Sequence, residues 1–247
     1  MCEVLTEIGG VPLTVKMVSF GAALLTMILF SLLWLADRKK RNRKVVFPGE
    51  WMNAAGFGLL PAAGVLKAFE QLSNAGKGTA VMEPLPHFSW LTENGKFLPA
   101  RIEMTAAVLF LVLTVIWLAV RKKELPAGGD LLPICLSLWA GIRIVTESMH
   151  AMPSNLYRYF YCGLELACLA WWTVRRMRIH PGLTRTIADW ITAALCIAMI
   201  VVTAEGILSV GSGIGNLAVT AGGSVLLTAL VLTAGSDSRK AAEQAAA

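Results

Sequence analysis

The sequence is poor in charge. Asp, Glu, Lys and Arg make up 15% of its 247 residues, against about 25% in a typical soluble domain. That shortfall argues against a soluble globular fold. An apolar content of 56% excludes a disordered chain. Five cysteines over this length exclude a disulfide scaffold. Motifs of the common chemistries are missing as well: there is no HExxH, no CxxC and no GxSxG. Gly211, Gly213 and Gly215 open an apolar run and do not follow a strand, so they form no phosphate loop. No cofactor and no metal are therefore expected. No apolar stretch alternates as a barrel strand does.

What is present is apolar sequence in long runs. Seven stretches, near 14–36, 50–72, 101–120, 130–150, 156–174, 186–209 and 213–235, each approach the roughly 20 residues a helix needs to cross a bilayer. Backbone in lipid must satisfy its own hydrogen bonds, so each is expected to be helical. The predicted fold class is all-α, a polytopic transmembrane bundle of seven spans. Pro61, Lys67 and Glu70 make the second span the most interrupted.

The net charge of +6 is unevenly placed. Basic blocks stand at Arg38–Lys44, Arg121–Lys123, Arg175–Arg178 and Arg239–Lys240. Seven spans would put all of them on one side, which the positive-inside rule makes cytoplasmic. The expected N-terminus is outside and the C-terminus inside, in a multi-pass protein of the cytoplasmic membrane. The first block directly follows a span, so it reads as topogenic and no nucleic-acid partner is expected. Glu3 and Glu7 precede the first apolar run, where a signal peptide would be basic. Trp34, Trp51, Trp90, Trp171, Trp172 and Trp190 near span ends read as an interfacial belt. Cys135, Cys162, Cys168 and Cys196 read as packing residues. The spacings Gly211-x3-Gly215 and Ala218-x3-Gly222 read as close helix packing. The longest connection, roughly 73–100, is expected outside and is either functional or mobile.

Charges inside spans are costly and mark function by default. Here they are Lys67 and Glu70, Glu103, Arg143 and Glu147, Glu165 and Glu205. Arg101, His150 and Arg158 stand at span ends. On the expected topology most gather in the outer leaflet, where both charge signs suit a phospholipid headgroup. Arg143, Glu147 and His150, spaced i, i+4, i+7, share one helical face. Two readings stay open at that face. One is an arginine fork on a phosphate; the other is an Arg–Glu pair that hides its own charge. Lys67 and Glu70 pose the same choice. Glu165 and Glu205 read as packing residues.

The order of features resembles the prolipoprotein diacylglyceryl transferases of bacteria over about residues 17–175. Gly141, Arg143, Glu147, His150 and Pro153 occupy the places of that family's Gly–Arg–Glu–basic–Pro motif. Pro99, Glu103, Arg121–Lys123 and Gly128–Gly129 follow the outline of a second family helix. Gly64, Phe69 and Glu70 lie where a third carries its signature, and Ser19-Phe20-Gly21-Ala22 lies where a fourth carries Ser-Phe-His-Gly-Gly. The family histidine has no counterpart between Phe20 and Gly21, and Lys67 stands where the family has arginine.

The resemblance implies transfer of a diacylglyceryl group from phosphatidylglycerol to a thiol, at a site open to the outer leaflet. The partners would be that lipid and a lipobox-containing or other membrane protein. Arg143 would hold the phosphate, Glu103 and Glu147 would orient lipid or acceptor, and His150 is a candidate base for the thiol. Lys67, Glu70, Arg101 and Arg158 would complete the lipid site. Residues 1–185 would form the transferase-like five-helix domain, and 186–247 two added helices with a short tail. The alternatives are a relative that binds phospholipid without chemistry, and a small-solute carrier. No internal repeat of the transporter kind is visible.

Overall fold

The computed structural model describes residues 4–8, 11–40, 48–71, 92–93, 96–120, 129–147, 149–150, 155–179, 194, 197–198, 201 and 213–246. They form six helices: α1 (Val15–Lys40), α2 (Gly49–Glu70), α3 (Pro99–Val120), α4 (Leu131–Glu147), α5 (Asn155–Ile179) and α6 (Gly213–Ala246). Two short antiparallel hairpins accompany them. Strand β1 (Val4–Ile8) pairs with β2 (Val11–Thr14), and β3 (Thr92–Glu93) with β4 (Lys96–Phe97). The first hairpin was not among the expectations. Its sequence signal is nonetheless present, in β-branched residues on either side of Gly9-Gly10.

The seven-span bundle is corrected by this structure. Among the described residues four helices are long and apolar enough to cross a membrane: α1, α2, α3 and the Leu217–Gly235 part of α6. Helix α4 has only 17 residues, or about 25 Å at 1.5 Å per residue, against a hydrocarbon core of about 30 Å. Helix α5 is diluted by Arg158, Glu165, Arg175, Arg176 and Arg178. The sixth expected span, 186–209, lies mostly outside the described residues, as do Glu205 and the domain boundary expected at 185/186. With the count gone, the parity argument for the two termini goes too. What stands is a helical protein whose apolar helices suit a multi-pass membrane protein.

Exposed surface supports that statement. Helix α1 shows Phe20, Leu24, Leu25, Ile28, Leu29, Leu32 and Leu33 outward. Helix α3 shows Val108, Leu109, Val112, Leu113 and Ile116. Soluble monomers rarely expose contiguous apolar patches on this scale, and such patches mark a membrane or a partner.

The described chain divides into two compact units. The first holds Met1–Cys135 with Met149–Met152, and the second Leu136–Ser148 with Pro153–Ala247. In the first, α2 packs against both α1 and α3. The α1–α2 approach is close because Gly58 has no side chain: a Cβ there would stand 2.6 Å from the Met27 carbonyl oxygen. The Ser31 hydroxyl donates across the same interface to the Ala54 carbonyl at 3.0 Å. At the far end Trp34 is buried against Phe57 and donates its indole N–H to Glu50 at 3.1 Å. Arg38 lies over the Trp34 ring and 3.5 Å from Glu50. So Trp34 and Arg38, expected in an interfacial belt and a topogenic block, are packed inside. Helix α4 begins on this unit, where the Leu131 N–H donates to the Asn53 side-chain oxygen at 3.1 Å. That bond satisfies one of the donors a helix start leaves open.

In the second unit α5 packs on α6. A Cβ at Gly235 would stand 2.8 Å from the Trp172 ring, so the glycine admits the indole. A Cβ at Gly141 would strike the Thr228 hydroxyl, so Gly141 admits α6 to α4. The Ala218-x3-Gly222 spacing expected to pack α6 is corrected here, while Gly211 of the other spacing lies outside the described residues. A Cβ at Gly222 would meet nothing within 4 Å; close approach falls at Gly141 and Gly235. Cys135, Cys162 and Cys168 are buried free thiols.

Candidate functional site

Each unit holds its own polar constellation. In the first, the C-terminal turn of α2 carries Lys67 and Glu70, and Glu103 lies one turn into α3. Helix α3 can start sharply because Pro99 at its first position needs no hydrogen-bond partner and arrives with a helical φ. The start is held by the Arg101 and Ile102 N–H groups, which donate to the Leu98 carbonyl at 3.0 and 3.2 Å. This sets Glu103 beside Lys67. The Lys67 ammonium lies 2.8 Å from Glu103 and 2.7 Å from Glu70. The other Glu103 oxygen lies 3.3 Å from His150 Nε2. Glu103 has no exposed surface, and Lys67 is only 5% exposed.

A carboxylate in such a place costs several kcal/mol to desolvate unless it is paired. Lys67 supplies the charge, and His150 occupies the remaining oxygen. The imidazole keeps part of its surface open, with 18% of the side chain exposed. A carboxylate on one ring nitrogen orients a histidine, the arrangement that general bases use.

The second unit carries Arg143 and Glu147 on α4 and Tyr161 on α5. Arg143 Nη2 donates to Glu147 at 3.1 Å. Arg143 Nε donates to the Tyr161 hydroxyl at 3.1 Å. The guanidinium also stands 5.1 Å from the centre of the Tyr161 ring, within cation–π range. Arg143 is thus held from two helices. Tyr161 was missed from the sequence. The available signal was its place three residues after Arg158 and four before Glu165 on one face of α5.

A third polar group lies in the second unit. Glu165 has no exposed surface. It takes the Ser137 hydroxyl from α4 at one oxygen and the Thr228 hydroxyl from α6 at the other, the latter at 2.7 Å. Beside them the Ser224 hydroxyl donates to the Gly141 carbonyl at 2.7 Å.

Of the expected site residues, Lys67, Glu70, Glu103 and His150 are therefore joined in the first unit, and Arg143 with Glu147 in the second. Arg101 stands two residues before Glu103, half-buried at the start of α3, where its carbonyl accepts from Thr105 at 2.7 Å. Arg158 is half-buried on α5, and its Nε is enclosed without a hydrogen-bond acceptor among the described residues. The Ser19–Ala22 stretch contributes no group to either constellation: Phe20 faces outward and a Cβ on Gly21 would touch nothing. Among the described residues no group of three or more His, Cys, Asp or Glu side chains is placed to hold a metal. Comparison with protein families, with curated proteins and with solved structures returns no match.

Proposed function

We propose that this chain is a phospholipid-dependent transferase of the cytoplasmic membrane, a divergent relative of the prolipoprotein diacylglyceryl transferases. The observation that carries the reading is Glu103, buried between the Lys67 ammonium and the His150 imidazole at the mouth of an apolar helix pair. Ion pairs are rarely built into apolar helices for stability alone, because their desolvation offsets the attraction.

The chemistry asked of these groups is a displacement at carbon. The acceptor thiol must first lose its proton, since the thiolate is the nucleophile. His150, oriented by Glu103, takes that proton. The sulfur then forms a bond to the glyceryl carbon of phosphatidylglycerol, the bond from that carbon to the phosphate oxygen breaks, and the headgroup leaves as glycerol phosphate. In the second unit, taken by itself, Arg143 is engaged by Glu147 and Tyr161 and carries the charge and donors suited to a phosphate. The His150 imidazole takes the part played in the family by the histidine missing between Phe20 and Gly21. The leaflet follows from the ends of the helices. Basic residues close α1 and follow α3, while the Lys67–Glu103 pair stands at the opposite end of the α2–α3 pair. The positive-inside rule puts the basic ends at the cytoplasmic face and the pair in the other leaflet.

The test is transfer itself. Purified protein is given phosphatidylglycerol and a lipobox peptide, and the peptide is weighed by mass spectrometry. Diacylglyceryl-peptide that disappears in Arg143→Ala and His150→Ala supports the proposal. Full transfer by Arg143→Ala removes the phosphate role. A second reading is favoured by one observation, that Glu147 and Tyr161 already engage Arg143: a protein that binds phospholipid without turnover. Lipid that co-purifies, is lost in Arg143→Ala and yields no product selects it.

A further inference from the structure

The proposed transfer makes no use of Glu165, and its surroundings are unlike those of every other buried acid described above. Its side chain bridges three helices. Ser137 comes from α4 and Thr228 from α6, and both contacts are direct. Thr228 lies near the middle of Leu217–Gly235, the part of α6 apolar enough to cross a membrane. Glu165 therefore stands level with the middle of that apolar stretch, with no exposed surface.

Among the described residues nothing there balances a negative charge. From α4 the charged residues are Arg143 and Glu147, and Arg143 is turned to Glu147 and Tyr161. From α6 the stretch Leu217–Gly235 offers Ser224 and Thr228 and carries no charged residue. On α5 itself the neighbours are the thiols of Cys162 and Cys168, and Arg158 lies about two turns away. Two hydroxyls are weak compensation for an anion in apolar surroundings, and an isolated buried carboxylate neutralises instead of staying charged. An acid, in contrast, fits this frame. Each hydroxyl can donate or accept, so a protonated carboxyl can donate to one and accept from the other, leaving both of its oxygens satisfied.

We propose that Glu165, Ser137 and Thr228 form a proton-binding site, in which the carboxyl keeps its proton at neutral pH and ties α4, α5 and α6 together. The bound ion is a proton and not Na⁺, because the hydroxyls touch the carboxyl oxygens directly, at hydrogen-bond distance. Loss of the proton would leave an anion among apolar helices and loosen α6. The site rests on geometry separate from the transfer reading, and its test does not involve transfer.

The experiment is infrared spectroscopy of the full chain in phosphatidylcholine vesicles at neutral pH, in choline buffer and in Na⁺ buffer. The expected result is a protonated-carboxyl stretch that shifts in D₂O, is absent from Glu165→Gln, and is unchanged by Na⁺. A second measurement needs no variant. A hydrophobic carbodiimide, which attacks protonated carboxyls in apolar surroundings, should modify Glu165 by peptide mapping, less at alkaline pH. A spectrum identical in wild type and Glu165→Gln overturns the proposal. So does a band that Na⁺ abolishes, which would make Na⁺ the resident ion.

Discussion

Glu103 and Glu165 are both carboxylates with no exposed surface, yet their neighbours differ in kind. Glu103, in the first unit, meets an ammonium and an imidazole. Glu165, in the second, meets two hydroxyls. Burial is equal, so burial alone does not decide what a carboxyl is for. Charge neutralised by a fixed cation leaves an ionised group, ready to orient a base. Charge neutralised by a proton leaves an acid that can let the proton go.

Substitution by glutamine sharpens that contrast most. Glu103→Gln takes an anion from between Lys67 and His150 and leaves the ammonium to Glu70 alone. Breaking a buried pair in this way costs about 3 kcal/mol or more, visible as a large fall in melting temperature in detergent. The double change Glu103→Leu with Lys67→Met should recover much of the loss, because an apolar replacement of similar volume removes both desolvation costs. If Glu103→Gln melts like wild type, the two carboxyls are not different in the way described.

Gly141→Ala comes next. Its new Cβ would strike the Thr228 hydroxyl, and overpacking of this sort costs about 1–3 kcal/mol. The disturbance should reach the Glu165 infrared band and leave the Lys67–Glu103 unit unaffected, which hydrogen exchange on α2 and α3 would check. Glu165→Gln should cost about 1 kcal/mol or less, since a neutral amide of the same shape keeps hydrogen bonds to both hydroxyls. A loss as large as that of Glu103→Gln would mean that Glu165 is ionised. The smallest effect is expected at Gly222, where a Cβ has open space. Gly222→Ala should stabilise α6 by about 0.5–1 kcal/mol, the ordinary helix preference of alanine over glycine, without altering either carboxyl.

Much of the helical framework was legible, because apolar runs and helix breakers are local. Pro99 marks the start of α3, and Lys39–Lys40 the end of α1. Six of the expected stretches coincide with helices to within a few residues at their starts, though α1, α5 and α6 run on past the expected ends. Whether a helix spans was harder. Helix α4 stops at Glu147, short of the Pro153 that would have been its natural limit, and α5 mixes arginines with its apolar residues. The site residues were legible as residue types, since charge in an apolar run stands out. Their partners were not. Lys67 and Glu103 are 36 residues apart by number, and Glu103 and His150 are 47 apart. Ser137 and Thr228 look like any hydroxyls in an apolar helix until Glu165 is placed between them.

Sequence alone, then, determined that this chain is helical and apolar, where most helices begin, and which few charges must be accounted for. These follow from backbone hydrogen bonding and from the cost of charge in apolar surroundings, which act over one or two turns. Tertiary structure alone decided which charges meet. It paired Glu103 with Lys67 and His150, turned Arg143 to Glu147 and Tyr161, and left Glu165 to hydroxyls. Helix packing sets those meetings, and it depends on where glycines such as Gly58 and Gly141 let two backbones approach, a property of pairs of helices that no single helix carries in its own sequence.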